Sequence, residues 1–203
     1  MQNSRTHEQI VLERARARGL LHTRDVVALG VPSVVLTRLV RTGQLERACR
    51  GVYSLPDTSI SAQRSLAEVS LRVPRGVVCL LSALRVHEIG TQAPFEVWLA
   101  LPPGVTAPRI ASPALRVMRM SGDALTEGIE RIKVDGVKVP VFNVAKTVAD
   151  CFKFRNKIGL DVAMEALGEA WRGKKVTVDD LWRYAGIDRV SRIMRPYMEA
   201  LVA

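Results

Sequence analysis

Between Pro32 and Thr42 the sequence PSVVLTRLVRT gathers groups that could read a nucleic acid. At about 100° per residue, Val35, Leu36, Leu39 and Val40 fall on one helix face. Ser33, Val34, Thr37, Arg38 and Arg41 fall on the other, which carries no acid. Arginine can pair bidentately with guanine O6 and N7, hydroxyls reach bases or phosphates, and Val34 could meet a thymine methyl. Downstream, Arg47 lies in the first of two short apolar segments, and Arg50 stands in the Cys49-Arg50-Gly51 turn between them. There it could meet a phosphate or enter a minor groove. A small helical hairpin with a solvated basic face is the plainer alternative. The turn spacing, the acid-free face and the basic hairpin tip together favour a winged helix-turn-helix.

A second constellation lies after Asn143. In a helix starting there, Lys146, Asp150, Lys153 and Lys157 share a stripe roughly 60° wide, opposite Ala145, Val148, Ala149 and Phe152. Arg155 lies off the stripe and extends the basic cluster. Lysine preceding aspartate by four is the weaker orientation for local helix support. The stripe is therefore either a solvated helix face or a surface for a phosphate or an antitoxin partner. Catalytic sets are missing. Ser82 and His87, five apart, do not share a helix face, and no acid is placed to orient the imidazole. Glu96 has Trp98 as its same-face strand neighbour, and Glu130 and Lys133 point to opposite strand faces, unlike the carboxylates and lysine of a metal-dependent nuclease. Cys49, Cys79 and Cys151 are far apart with no CxxC spacing, which argues against zinc and against a disulfide framework. The expectation is a non-enzyme with no metal, no cofactor and no catalytic residues.

The elements that would position these groups follow from capping and period. His7–Arg18 forms a first helix. Thr23 is a candidate N-cap with Asp25 in the first turn, Gly30 stops that helix, and Pro32 opens the next at its first position. Gly43 ends the second helix, and residues 45–48 and 52–55 make the two strands of the wing. Pro56-Asp57-Thr58-Ser59 marks a boundary, giving a DNA-binding domain at 1–57 and a second domain at 58–203. In the latter, Ser59–Val73 and the run VVCLLSALRVHEIG from Val77 read as helices. Phe95–Leu101 and Leu115–Met120 read as strands, and Ile129–Val134 and Val137–Phe142 flank an Asp-Gly hairpin turn. Four helices close the chain, at 143–157, 160–171, 177–185 and 189–201, with Thr177 as an N-cap. The fold class is α+β: the winged domain, then a mixed α/β domain with a small sheet and several helices.

Composition agrees with an anionic partner. The 203 residues carry a formal net charge of +10. Residues 1–57 hold nine arginines and no lysine against five acids, so the N-terminal part is the more basic per residue. The polar start MQNSRTHEQ lacks the apolar core of a signal peptide, and the longest apolar run is too short to span a bilayer. The expected protein is soluble and cytoplasmic, without a membrane partner.

With these residues laid out, the chain resembles the AbiEi antitoxins of bacterial abortive-infection and toxin–antitoxin loci. The resemblance runs through GLLHTRDVVALGV…LTRLVRTGQLERACRGVYSLP, CLLSALRVHEIGTQAPFEVWLALP, VFNVAKTVADCFKFRNKIGLDVAMEAL and RPYMEAL. It implies a winged-helix domain joined to an α/β antitoxin domain, and binding to inverted repeats in the chain's own promoter with repression of that operon. It also implies phage defence through neutralisation of a nucleotidyltransferase-type toxin without a stable toxin complex. Carried over, DNA reading falls on Ser33, Val34, Thr37, Arg38 and Arg41, with Arg47 and Arg50 in the wing. The family's KTxxD and RxKxG elements fall on Lys146, Asp150, Arg155, Lys157 and Gly159. A stand-alone regulator with a ligand-sensing or dimerising second domain is the alternative, and a nuclease a remote one. No heptad or large apolar stripe calls for a constitutive dimer, so a monomer in solution is expected.

Overall fold

The computed structural model describes residues 6–56, 63–108, 110 and 113–202. The chain divides into two compact units, Met1–Pro74 with Lys133–Val139, and Arg75–Ile132 with Pro140–Ala203.

Unit 1 begins with α1 (His7–Arg18), capped by Thr6 in a reciprocal box with Gln9. Then come β1 (Leu20–His22), α2 (Thr23–Val27), α3 (Val34–Arg41), β2 (Glu46–Cys49), β3 (Val52–Ser54) and α4 (Arg64–Arg72). The three strands form an antiparallel sheet in the order β1-β3-β2. Val11 and Ala15 of α1, Val26 of α2 and Val35, Leu36 and Leu39 of α3 form one core with Leu21, Val31 and Leu45.

Three local expectations change here. The N-cap of α2 is His22, whose Nδ1 accepts from the Arg24 amide at 3.1 Å. Thr23 is drawn away, its amide and hydroxyl both donating to the Gly51 carbonyl (2.9 and 3.2 Å). Nor does Pro32 occupy the first helical position: α3 starts at Val34, after Pro32 and Ser33 accept from Val35 and Leu36 in tighter turns. Third, α4 belongs to unit 1, because Arg64 Nη2 donates to the buried Ser54 Oγ of β3 at 2.9 Å. The division therefore falls at Pro74, where 57/58 was expected. Residues 57–59 of that expected boundary, and the start of the helix expected from Ser59, lie outside the described residues.

Unit 2 centres on a five-stranded mixed sheet of order β6-β5-β4-β8-β7, whose last two strands run into residues 133–139 of unit 1. The strands are β4 (Val77–Val78), β5 (Val97–Leu101), β6 (Leu115–Arg119), β7 (Ile129–Val134) and β8 (Val137–Phe142). β5 pairs in parallel with β6 and antiparallel with β4, and β4 pairs in parallel with β8. The run expected to be helical from Val77 begins instead as β4, and α5 spans Leu80–Val86. A two-residue strand leaves no period to read. A short α6 (Asp123–Thr126) precedes the β7–β8 hairpin, where Asp135 and Gly136 both have positive φ (46° and 76°), as a type I′ turn requires. The closing helices are α7 (Val144–Lys153), α8 (Arg155–Ile158), α9 (Leu160–Arg172), α10 (Val178–Ile187) and α11 (Ser191–Val202). The helix expected over 143–157 breaks at Phe154, whose φ and ψ of −103° and 18° leave the helical region. Packed by α5, α8, α9, α10 and α11, α7 is the central helix of the unit, buried from Ala145 through Phe152.

Candidate nucleic-acid interface

Burial sorts α3 as its period demands. Val35, Leu36 and Leu39 are buried, while Ser33, Val34, Thr37, Arg38 and Arg41 are exposed. Val34 is 68% exposed, more than any hydrophobic of comparable size except Phe95 among the described residues. An isolated valine so placed keeps its methyls in water, and it sits one turn before Arg38. The hairpin of β2 and β3 places Arg47 opposite Tyr53, and a register shift follows between Arg47 and Cys49. Arg50 lies in the turn beyond, exposed. Unit 1 thus carries five candidate residues on one helix face and two on the hairpin.

The helix face has an acid that its own sequence does not supply. Glu8 Oε1, on α1, lies 2.6 Å from Arg38 Nε. Only the packing of α1 on α3 brings the two together, so a scan of one helix could not find it. His22 also lies in this unit. Burial, then the neighbouring Arg24 charge, hold its pKa below the ordinary value, which keeps Nδ1 free to cap α2.

The second constellation is a correction. Lys146 and Asp150 were expected on a surface, and both are fully buried. Lys146 Nζ donates to Asp150 Oδ1 at 2.5 Å and to Asp188 Oδ2 at 3.1 Å. Lys153 Nζ reaches Asp188 Oδ1 at 3.1 Å from a half-exposed position. Lys146 also sits 4.7 Å from the centre of the Phe142 ring. Two lysines therefore face two aspartates. Asp188, in the turn after α10, completes it and was missed by sequence reasoning, because 35 residues separate it from Lys153. The second oxygen of Asp150 has no hydrogen-bond partner. Burial raises the Asp150 pKa well above the usual carboxylate range despite Lys146. The nearby Cys79 and Cys151 thiols are also pushed up by burial. Of the five residues expected to form a partner surface, Lys157 is exposed and Arg155 is partly buried, its Nη1 donating to the Phe152 carbonyl at 2.9 Å.

Ser82 and His87 serve the framework. Ser82 Oγ accepts from the Trp98 amide at 2.9 Å, and His87 Nε2 lies 2.7 Å from the Phe142 carbonyl. Among the described residues no group of three or more His, Cys, Asp or Glu could hold a metal ion. Nor is any helix among them long and apolar enough to cross a membrane.

These features define an α+β chain whose N-terminal unit presents a basic helix face beside a basic hairpin. Residues 8–56, the segment holding that face, match the model of a family described as transcriptional regulator, AbiEi antitoxin. The AbiEi resemblance is thereby shown for those residues, and through them the chain is similar to AbiEi antitoxin transcriptional regulators. A search of curated proteins found no match. Among solved structures the chain is similar to the crystal structure of the RV2827C protein from Mycobacterium tuberculosis, with a TM-score of 0.58 and 16% identity, over 90% of this chain and 72% of that one. At that identity the likeness is one of fold.

Proposed function

We propose that this chain is a DNA-binding antitoxin that represses its own operon. Unit 1 acts as a winged helix-turn-helix, with α3 in the major groove and the β2–β3 hairpin as the wing. The observation that carries this reading is the exposed α3 face, where Ser33, Val34, Thr37, Arg38 and Arg41 stand clear of the core within the segment that matches the AbiEi family. Arg38 and Arg41 read base edges, Ser33 and Thr37 reach phosphates or bases, Val34 meets a thymine methyl, and Arg47 and Arg50 hold the backbone. The operator is an inverted repeat filled by two monomers, and the 58–203 part carries the antitoxin function. The toxin is of nucleotidyltransferase type and is countered without a stable complex. The protein is cytoplasmic, serves phage defence, and needs no enzyme activity or cofactor.

The test is binding to DNA upstream of the chain's own gene and to a scrambled duplex across a salt series. A preference for the native duplex that persists as salt rises supports the reading. Equal binding to both, collapsing together, leaves only a basic surface. A second reading, a regulator whose unit 2 senses a small ligand, is favoured by an apolar cleft of about 330 Å³ lined by Trp171, Leu181, Trp182 and Met198. Relief of a neighbouring gene's toxicity on co-expression decides between them.

A further inference from the structure

The contact between Glu8 and Arg38 sets a carboxylate against the arginine best placed to read a base. A negative charge beside a DNA-facing helix weakens attraction to phosphates everywhere. An exposed ion pair of this kind also adds little to stability. Its geometry is more informative. The arginine side chain offers five N–H donors in a planar fork. Glu8 Oε1 sits 2.6 Å from Nε, the stem-side nitrogen of that fork, and Nη1 and Nη2 stand at its far end. Two parallel donors at that end match guanine O6 and N7.

The platform that holds Glu8 is fixed. Glu8 lies in the first turn of α1, where the helix end favours a carboxylate and where Thr6 and Gln9 close the capping box. Val11 and Ala15, three and seven residues on and therefore on the same face, are buried in the core that α3 shares. Glu8 thus sets a carboxylate against the stem-side end of a long side chain that could otherwise turn toward phosphates.

We infer that Glu8 is a positioning residue that fixes Arg38 for end-on recognition of one guanine, trading overall affinity for discrimination. The inference rests on the DNA-reading role proposed above. Freed of Glu8, Arg38 swings to the nearest phosphate, and sequence preference is lost at one base pair while non-specific binding strengthens.

The test uses the full chain and a duplex enriched from a randomised pool by the wild type. Single base-pair substitutions of that duplex and a scrambled control complete the set. Arg38→Ala should lose discrimination at one G·C pair by roughly five- to a hundred-fold. Glu8→Ala should lose preference at that same pair, bind the scrambled duplex more tightly, and show a salt slope steeper by about one. Glu8→Gln keeps an acceptor oxygen and should retain the preference, an outcome that simple charge repulsion would not give. Full discrimination by Glu8→Ala, or a loss spread evenly over all positions, overturns the inference and leaves the DNA-reading role standing. If the wild type enriches no sequence, both fall.

Discussion

Replacing Lys146 with methionine should destabilise unit 2 far more than a surface substitution would. Methionine keeps most of the side-chain volume and removes the charge. Asp188 retains Lys153 at 3.1 Å, but Asp150 loses the Lys146 ammonium, and its second oxygen already lacks a hydrogen-bond partner. Breaking a buried pair by removing one member costs about 3–5 kcal/mol, because the remaining charge is left uncompensated. Stability should also depend on pH, in the wild type as in the variant. Lys146 is the group that draws the Asp150 pKa down against burial, so its removal raises that pKa further. The native state then holds a proton that the unfolded chain releases near pH 4, and stability falls as pH rises above that value, by up to about 1.4 kcal/mol per unit. Urea unfolding followed by tryptophan fluorescence at about pH 5 and pH 7.5 measures both effects. Both chains should lose stability as pH rises between those values, because burial already raises the Asp150 pKa in the wild type. Adding Asp150→Asn to Lys146→Met should restore part of the loss, and Lys153→Met, which leaves Asp188 with Lys146, should cost far less. A Lys146→Met penalty below about 0.5 kcal/mol, the range of a surface change, would refute the buried cluster.

The remaining predictions concern unit 1 and the rim of unit 2. Arg38→Ala should weaken binding to the native duplex by roughly 1–3 kcal/mol while leaving thermal stability nearly unchanged; equal losses on native and scrambled DNA would make Arg38 a phosphate contact. His22 has a folded pKa below its ordinary value of 6.5, so the unfolded state binds the extra proton. Its contribution is fully present above that value and is lost as pH falls through the window between 6.5 and the lowered folded pKa. A His22→Asn variant keeps a capping acceptor and should remove this acid sensitivity from a melting curve. Gly136→Ala should cost about 2 kcal/mol or more, since φ is positive and the added Cβ would collide with the Arg18 carbonyl oxygen. Gly30→Ala, equally positive in φ but open around the Cβ, should cost less in the same unfolding assay. Lys157→Ala, on an exposed side chain, should leave stability within about 0.5 kcal/mol and DNA binding intact, while co-expression reports whether toxin relief weakens.

What could be read in the sequence follows from how each signal arises. The 3.6-residue period placed α1 and sorted the faces of α3, because each buries one stripe of apolar side chains. The Asp135-Gly136 turn was legible because few residues accept two consecutive positive φ values. Short strands were not: β1 has three residues and β4 two, too few for alternation to register. The α2 cap was assigned to the better capping residue type, yet Thr23 is held by Gly51, a partner 28 residues away. The partners that give Arg38 and Lys146 their settings, Glu8 and Asp188, are equally remote in sequence, and no local pattern announces them.

The two basic helices show why one charge stripe is exposed and the other buried. Both α3 and α7 carry cations at helical spacing. The α3 face holds Arg38 and Arg41 and no acid of its own, so burying it would strand two charges, and the helix must keep that side in water. Its other face uses large side chains, Val35, Leu36 and Leu39, as a helix packed on one side does. The α7 stripe mixes signs within one turn, which makes burial affordable if the charges balance. Lys146, Asp150 and Lys153 leave one positive charge over, and burial of that stripe therefore demands an acid from elsewhere, which Asp188 supplies. The rest of α7, with the small Ala145, Thr147, Ala149 and Cys151 beside Val148 and Phe152, is buried as well, and neighbours close in from every side. A stripe of one sign stays in water; a stripe of mixed sign can be buried where a neighbouring element completes the charge balance.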